Sequence, residues 1–303
     1  MIKNNKNITP FRQRKRLIAW RWCFFIFFTL AIFIFAFFSQ LRLGLFWRIV
    51  AWSAVAVWLI VFVQVLYCKF FFPIVTPLMI HRYFQQRKTG NTHFEWSPVS
   101  IDTISPHLIN AVDVAENSGL FLYDRGFLFR GLSRAYSLNK KGTALYGGST
   151  ISQQTAKNCF LPHSRTMLRK VLEAYYTLLI ELFWGKKRIM ECYLNIIEYG
   201  NGIYGCEAAS QHYYHHSSAT LTEDEAIMLA VSLAYPLRAN PENHTSDYDS
   251  RVDMVKRKLQ VHNPINWEDR VDDLNPDLLN EGNRGLFFFI KWLFVKHIRP
   301  TDN

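Results

Sequence analysis

Two long apolar runs near the N-terminus constrain this chain more than any other feature. Residues 22–41 and 49–68 each contain 20 residues without a charged side chain. At about 1.5 Å per residue, a helix of that length crosses a hydrocarbon core of roughly 30 Å. No small-residue cleavage pattern follows the first run, and both are long for a signal peptide. We therefore predict apolar helices at 17–41 and 48–70, the second as a transmembrane anchor.

The basic leader at 1–16 indicates on which side of the membrane the chain begins. The chain has a net charge of +11, and six of its basic side chains fall within residues 1–16. Basic residues beside an apolar run are typical of a cytoplasmic flank, which we favour over a nucleic-acid partner. Two complete spans would return the rest of the chain to the cytoplasmic side. At this point the number of spanning segments stays open.

A helical domain is predicted after the apolar runs, over residues 80–245. One apolar stripe repeats at helical spacing through Leu168, Leu172, Tyr175, Leu179 and Leu182. Little β-alternation appears, so we expect a mainly α domain. Residues 80–96 mix apolar and basic side chains, which is typical of a segment on a membrane surface. Residues 246–303 would form a C-terminal extension. Its apolar segment at 285–298 is too short to span a bilayer, which leaves two alternatives open: an interfacial helix, or a segment that packs on the domain.

The sequence GGSTISQQTAKN at 147–158 predicts a turn followed by a helix. Two glycines permit a tight turn and a close approach of ligand. Thr150 and Gln153 have capping-box spacing. Alone, the run is most simply an ordinary capped helix. Charged residues at Arg165, Arg169, Lys170 and Glu173 follow it, however, and Glu116 ends an apolar helical stretch before it. The five cysteines show no CxxC spacing, so we expect no metal motif.

Four blocks of sequence together resemble a known family. They are AVDVAE at 111–116, the run at 147–158, RKVLEA at 169–174, and YLN at 193–195 leading into GNGIYGCEAA at 200–209. A weaker fifth block is LTEDEA at 221–226. In this order they resemble the glycosyltransferase domain of bacterial peptidoglycan polymerases, among them the monofunctional biosynthetic peptidoglycan transglycosylases. The resemblance implies a lysozyme-like, two-lobed helical domain preceded by transmembrane helices.

The resemblance also implies a reaction and a location. The 4-hydroxyl of one lipid-linked disaccharide-peptide (lipid II) would attack the anomeric carbon of a growing glycan strand with inversion, and undecaprenyl diphosphate would leave. Within these 303 residues we expect no transpeptidase. Partners would be lipid II, the glycan strand, membrane lipid and other cell-wall synthases. No cofactor would be required, with a divalent cation at the diphosphate left open. The domain would face the periplasm or exterior from the cytoplasmic (inner) membrane of a bacterium.

Such a reaction needs a base for the hydroxyl proton and cations for the developing diphosphate charge. The resemblance implies that Glu116 is the base and that Glu173 is a second catalytic carboxylate. The residues expected to bind substrate are Ser149, Thr150, Gln153, Gln154, Lys157, Asn158, Arg165, Arg169 and Lys170. Without the resemblance, Glu116 would be a surface glutamate, and Glu173 would belong to a solvated helix ion cluster. Tyr193, Asn195, Glu207 and the glycines at 200–205 would shape the fold.

The first block departs from the family pattern. Asn117 stands where the family has Asp, a His is missing, and Leu128 stands where a later Asp belongs. An amide can still donate and accept hydrogen bonds, so we expect activity to survive and an Asn117→Asp variant to be no worse. Two alternatives stay open: a non-catalytic relative that binds lipid II or cell-wall partners, and a lysozyme-like hydrolase. The basic cluster counts against the hydrolase.

Overall fold

The computed structural model describes residues 22–23, 25–37, 44–90, 92–124, 126–127, 148–164 and 166–268. They fall into two compact units, which meet in the sequence between Phe71 and Phe72. Three predictions lie outside the described residues: the leader at 1–16, the apolar segment at 285–298, and the substrate-binding residue Arg165.

The N-terminal unit contains two apolar helices, α1 (Phe25–Phe37) and α2 (Leu45–Phe70). Helix α2 is long and apolar enough to cross a membrane, with a mean hydropathy of 2.4 over its best window. It corresponds to the anchor predicted at 48–70 and begins three residues earlier. The 13 described residues of α1 extend about 20 Å, which is short of a full span. Among the described helices, only α2 meets the length for a span.

Small side chains bring α1 and α2 together within this unit. Ala36 of α1 is buried against Ala51 and Val55 of α2. Small residues at a helix interface allow the two backbones to approach closely in lipid. The ring of Phe25 stacks on that of Phe62, with 5.8 Å between the ring centroids. The two helices therefore pack against each other along their length.

The second unit is mainly helical, as the sequence predicts. Its helices are α3 (Pro77–Thr89), α4 (Pro106–Asn117), α5 (Ile151–Phe160), α6 (Met167–Phe183), α7 (Lys186–Ile196), α8 (Cys206–Tyr214), α9 (Glu223–Ser232) and α10 (Ser246–Leu259). Three very short strands form one sheet: β1 (Glu95–Trp96), β2 (Glu198–Gly200) and β3 (Ile203–Tyr204). Strand β3 lies in the middle, parallel to β1 and antiparallel to β2.

Helix packing divides this unit into two groups. Helix α4 packs against α9 and α10, while α5 packs against α6 and α7. The groups meet where α4 contacts α5. Since Glu116 lies at the end of α4, and the polar run lies on α5, this meeting point brings the two predicted parts of the site together.

The compact unit extends past residue 245, where we predicted that the domain ends. Helix α10 packs on both α4 and α9. Its Tyr248 is buried, and the Tyr248 hydroxyl donates a hydrogen bond of 2.8 Å to the carbonyl oxygen of Met228. The helix that was assigned to a C-terminal extension is therefore part of the domain.

Candidate active site

Helix α5 begins with the reciprocal cap that the sequence predicts. Thr150 Oγ1 accepts a hydrogen bond from the peptide nitrogen of Gln153, and Gln153 Oε1 accepts one from that of Thr150. The Thr150 hydroxyl also donates to the carbonyl oxygen of Gly126, at 2.8 Å. Both side chains are buried and used inside the protein. A direct role for these two residues in substrate binding stays a prediction.

Glu116 lies at the end of α4 and is partly exposed. Gln154 Nε2 on α5 donates to Glu116 Oε2 at 2.8 Å, and the Tyr193 hydroxyl donates to Gln154 Oε1 at 3.3 Å. Among the described residues, no cation pairs with Glu116. A carboxylate held by one neutral donor keeps lone pairs available for a proton. Burial, with the neighbouring charge of Glu116, raises the pKa of Tyr193 far above its usual value, so its hydroxyl remains a donor.

Glu173 has the opposite environment. It is only 2% exposed, and it forms ion pairs with Arg169 at 2.7 Å and with Lys170. Lys170 Nζ also donates to Ser149 Oγ at 3.3 Å, which ties α6 to the turn before α5. This burial is incompatible with a solvated helix face. Two charges taken out of water require excellent geometry to persist.

Lys157 lies on α5, and its charge interacts with the charges of both Glu173 and Glu116. Within the described part of the chain it forms no ion pair. Burial lowers the pKa of Lys157, the charges of Glu173 and Glu116 oppose that shift, and Arg169 and Lys170 add to it. A half-buried ammonium without a direct counter-ion is suited to an anion.

Buried hydrogen-bond donors near Lys157 also lack acceptors among the described residues. They are Asn158 Nδ2, Gln153 Nε2 and Arg169 Nε. Buried donors are normally satisfied, so each such group calls for an explanation. An anionic ligand rich in oxygen atoms would satisfy donors of this kind.

Asn117 belongs to a buried polar network that sequence reasoning missed. Its Nδ2 donates to Asp124 Oδ2 at 2.6 Å, and its Oδ1 accepts from the peptide nitrogen of Ile151 at the start of α5. Lys186 Nζ lies 2.6 Å from Asp124 and 2.7 Å from Glu181. Burial lowers the pKa of Lys186, but these two carboxylates outweigh it and leave the pKa raised. The network therefore joins the end of α4 to α5, α6 and α7 through a charged lysine.

Two of the residues predicted to shape the fold, Asn195 and Glu207, make structural hydrogen bonds. Asn195 is fully buried, and its side-chain amide makes two hydrogen bonds to the backbone of Val99. The peptide nitrogen of Val99 donates to Asn195 Oδ1 at 2.7 Å, and Asn195 Nδ2 donates to the carbonyl oxygen of Val99 at 2.9 Å. Glu207 Oε2 accepts from the peptide nitrogen of Ser218 at 2.8 Å and from the hydroxyl of Ser217. Glu207 is thus a structural hydrogen-bonding residue, as expected.

This site defines a class of protein: a helical domain in which one glutamate is held by a neutral amide and a second, buried glutamate is paired with half-buried cations. The model of the family described as Transglycosylase matches residues 84–260, which is more than half of the chain. The chain belongs to the Transglycosylase family. The domain of that family is lysozyme-like, as the sequence predicts.

Named relatives agree with the family match, and each is named a biosynthetic peptidoglycan transglycosylase. One from Caulobacter vibrioides is 49% identical over 199 residues, which cover 66% of this chain and 81% of the relative. One from a Marinomonas species is 42% identical over 229 residues, covering 75% of this chain and 96% of the relative. One from Bacteroides thetaiotaomicron is 44% identical over 193 residues, covering 63% and 77%.

The network around Asn117 predicts a cost in stability for Asn117→Asp, while the expectation about its activity stays a prediction. The variant would replace a donor 2.6 Å from Asp124 Oδ2 with a second buried carboxylate oxygen. Two adjacent buried carboxylates cannot both ionise cheaply, so we expect the free energy of unfolding to fall by at least about 1 kcal/mol at pH 8. The shared proton raises a carboxyl pKa in the folded state. Stability is then lost as pH rises through that pKa, and thermal unfolding should show a smaller loss at pH 5.

Asn201→Asp is the matched control for this prediction. Asn201 is exposed, and its Oδ1 only accepts a bond, from Gln86 at 2.8 Å. The Asn201→Asp variant should therefore unfold like the wild type at both pH values. Equal stability of Asn117→Asp and Asn201→Asp at pH 8 would contradict the role assigned to the network.

Proposed function

We propose that this chain is a peptidoglycan glycosyltransferase, which polymerises lipid II into glycan strands and releases undecaprenyl diphosphate. The observation that carries the proposal is the contrast between two carboxylates. Glu116 is held by a neutral amide, whereas Glu173 is buried among cations. The family and the names of the relatives support the same reaction.

Glu116 is the proposed general base. It takes the proton of the acceptor 4-hydroxyl while that oxygen attacks the anomeric carbon of the donor. The bond from the anomeric carbon to the diphosphate breaks, and its electron pair leaves with the diphosphate, which inverts the anomeric centre. Gln154 orients the carboxylate, and Tyr193 in turn holds Gln154. The base therefore meets the acceptor with its geometry already set.

The cations are proposed to stabilise the leaving diphosphate. Lys157, Arg169 and Lys170 share one neighbourhood, in which a low dielectric strengthens each charge interaction. Glu173 positions Arg169 and Lys170 rather than reacting itself. No resident cofactor is needed in this proposal. A divalent cation beside the diphosphate is compatible with it, and polymerisation with and without a chelator tests whether one contributes.

The exposed apolar side chains support action at a membrane. On α3, Ile80, Tyr83 and Phe84 are exposed at helical spacing. On α6, Leu168, Val171 and Leu172 repeat the pattern. Such stripes suit contact with acyl chains or with the lipid of the substrate. We propose an inner-membrane protein anchored by α2, with its domain facing the periplasm or exterior. Association with other cell-wall synthases stays a prediction.

Glu116→Gln should lower polymer formation by about 10²- to 10⁴-fold, because the amide keeps the shape but has no basic lone pair. The measurement is polymerisation of labelled lipid II by the purified full chain, with thermal unfolding to verify the fold. Glu242→Gln, at an exposed glutamate, should retain wild-type rates. Wild-type rates in Glu116→Gln would remove this residue from the mechanism.

Lys157→Met should lower turnover by about 10²- to 10³-fold, because it keeps an apolar stem but deletes one charge at the leaving group. The fold should persist, since the lost ammonium has no ion pair within the described structure. Lys187→Met is the control: Lys187 is exposed and pairs with the exposed Asp102. If both variants polymerise equally, Lys157 does not serve the diphosphate.

A C-terminal reporter fusion tests the orientation. We expect a reporter that works only outside the cytoplasm to be active, because the lipid-linked substrate is displayed there. Expression in a host with each reporter type in parallel supplies the control. Activity of the cytoplasmic reporter alone would contradict the proposed orientation and indicate two complete spans.

A further inference from the structure

A second polar cluster lies away from the residues of the proposed active site. It consists of His93, Glu95 and His212, which are partly buried. Glu95 Oε1 lies 2.9 Å from His93 Nε2 and 3.2 Å from His212 Nδ1. All three potential ligand atoms lie within 4.8 Å of one another. The cluster shares no residue with the site around Glu116 and Glu173.

The spacing of these atoms suits a small metal ion. Zinc binds imidazole nitrogen at about 2.0–2.1 Å and carboxylate oxygen at about 2.0–2.2 Å, in tetrahedral geometry. Neighbouring ligand atoms are then roughly 3.3 Å apart. Both nitrogen-to-oxygen distances in the cluster are close to this value. Two histidines and one carboxylate leave a fourth position for water, and imidazole ligands favour zinc over magnesium or calcium.

One nitrogen of the cluster has no hydrogen-bond partner among the described residues. His93 Nε2 is shielded from solvent, and although it lies near Glu95 Oε1 it makes no hydrogen bond. His212 Nδ1 is the ring nitrogen that does hydrogen-bond to that oxygen. A buried imidazole nitrogen without a partner is uncommon, and a metal ion would use its lone pair.

His93 and Glu95 lie on the β1 segment, whose backbone is hydrogen-bonded to its neighbours. The peptide nitrogen of His93 donates to Gln86 Oε1 at 3.0 Å, and that of Glu95 donates to the carbonyl oxygen of Gly202 at 2.8 Å. Gly202 has a φ of 82°, and a Cβ there would lie 2.0 Å from the carbonyl oxygen of His93. His212 lies on α8. Ligands on rigid elements need little reorganisation to bind.

We propose that His93, Glu95 and His212 bind one Zn²⁺ ion, with water as the fourth ligand. The ion would fasten the β1 segment to α8. Because β1 follows α3, and α3 packs on the helix that carries Lys157 and Gln154, the ion would stabilise this side of the domain. The proposal does not depend on the reaction that the domain performs.

The test is metal binding by the purified full chain without a histidine tag. Co²⁺ is the spectroscopic probe, and we expect one equivalent with the visible absorption of a tetrahedral site, displaced by Zn²⁺. Zn²⁺ should raise the melting temperature, because it binds only the folded state. Affinity should fall as the solution is acidified, because protons compete with the metal ion for imidazole nitrogen.

Matched variants locate the site. Glu95→Gln and His93→Asn should each raise the Co²⁺ dissociation constant by at least about tenfold. Losing a residue that only supports a metal ligand already has an effect of this size, and these two residues would be ligands themselves. His244→Asn is the control, because His244 also pairs with a carboxylate, Asp249 at 3.0 Å, but as an exposed single pair. Glu95→Gln changes one atom and should fold. Absence of binding in the wild type, or equal binding by wild type and Glu95→Gln, would overturn the proposal.

Discussion

The uncompensated charge of Lys157 is the constraint on which the rest of the site depends. Burial of an ammonium is costly, and the lowered pKa of Lys157 reflects that cost. Glu173 would be its natural partner, but Arg169 and Lys170 already occupy both carboxylate oxygens. The site therefore holds more positive than negative charge near α5. The diphosphate in the proposed reaction would bring negative charge to this cationic neighbourhood.

The network around Asp124 explains how the two glutamates are held in separate environments. Asn117 follows Glu116 directly, and it links the end of α4 to the first turn of α5 and, through Asp124, to Lys186. An amide is the residue that suits this position, because Asp124 needs a donor there. The departure from the family pattern at 117 is thus matched by its surroundings, and it leaves Glu116 and Gln154 in contact.

Sequence reasoning succeeded where the signal is local. The cap at Thr150 follows from residue spacing, as does the contact between Arg169 and Glu173 at consecutive turns of one helix. The long apolar helix α2 follows from length and hydropathy. Sequence reasoning failed for contacts between elements that are distant in the sequence. Residue 245 was taken as a boundary because the motifs end there, yet the packing of α10 depends on faces of α4 and α9. His93 and His212 are far apart in sequence, so no ligand spacing could indicate their cluster.

The most direct test of the account is the stoichiometry of the reaction catalysed by the purified, metal-replete full chain. Labelled lipid II in detergent or vesicles should become glycan polymer, with one undecaprenyl diphosphate released for each new glycosidic bond. Preformed glycan should remain uncut. A well-folded chain that binds lipid II without forming polymer, or that shortens preformed strands, would contradict the account.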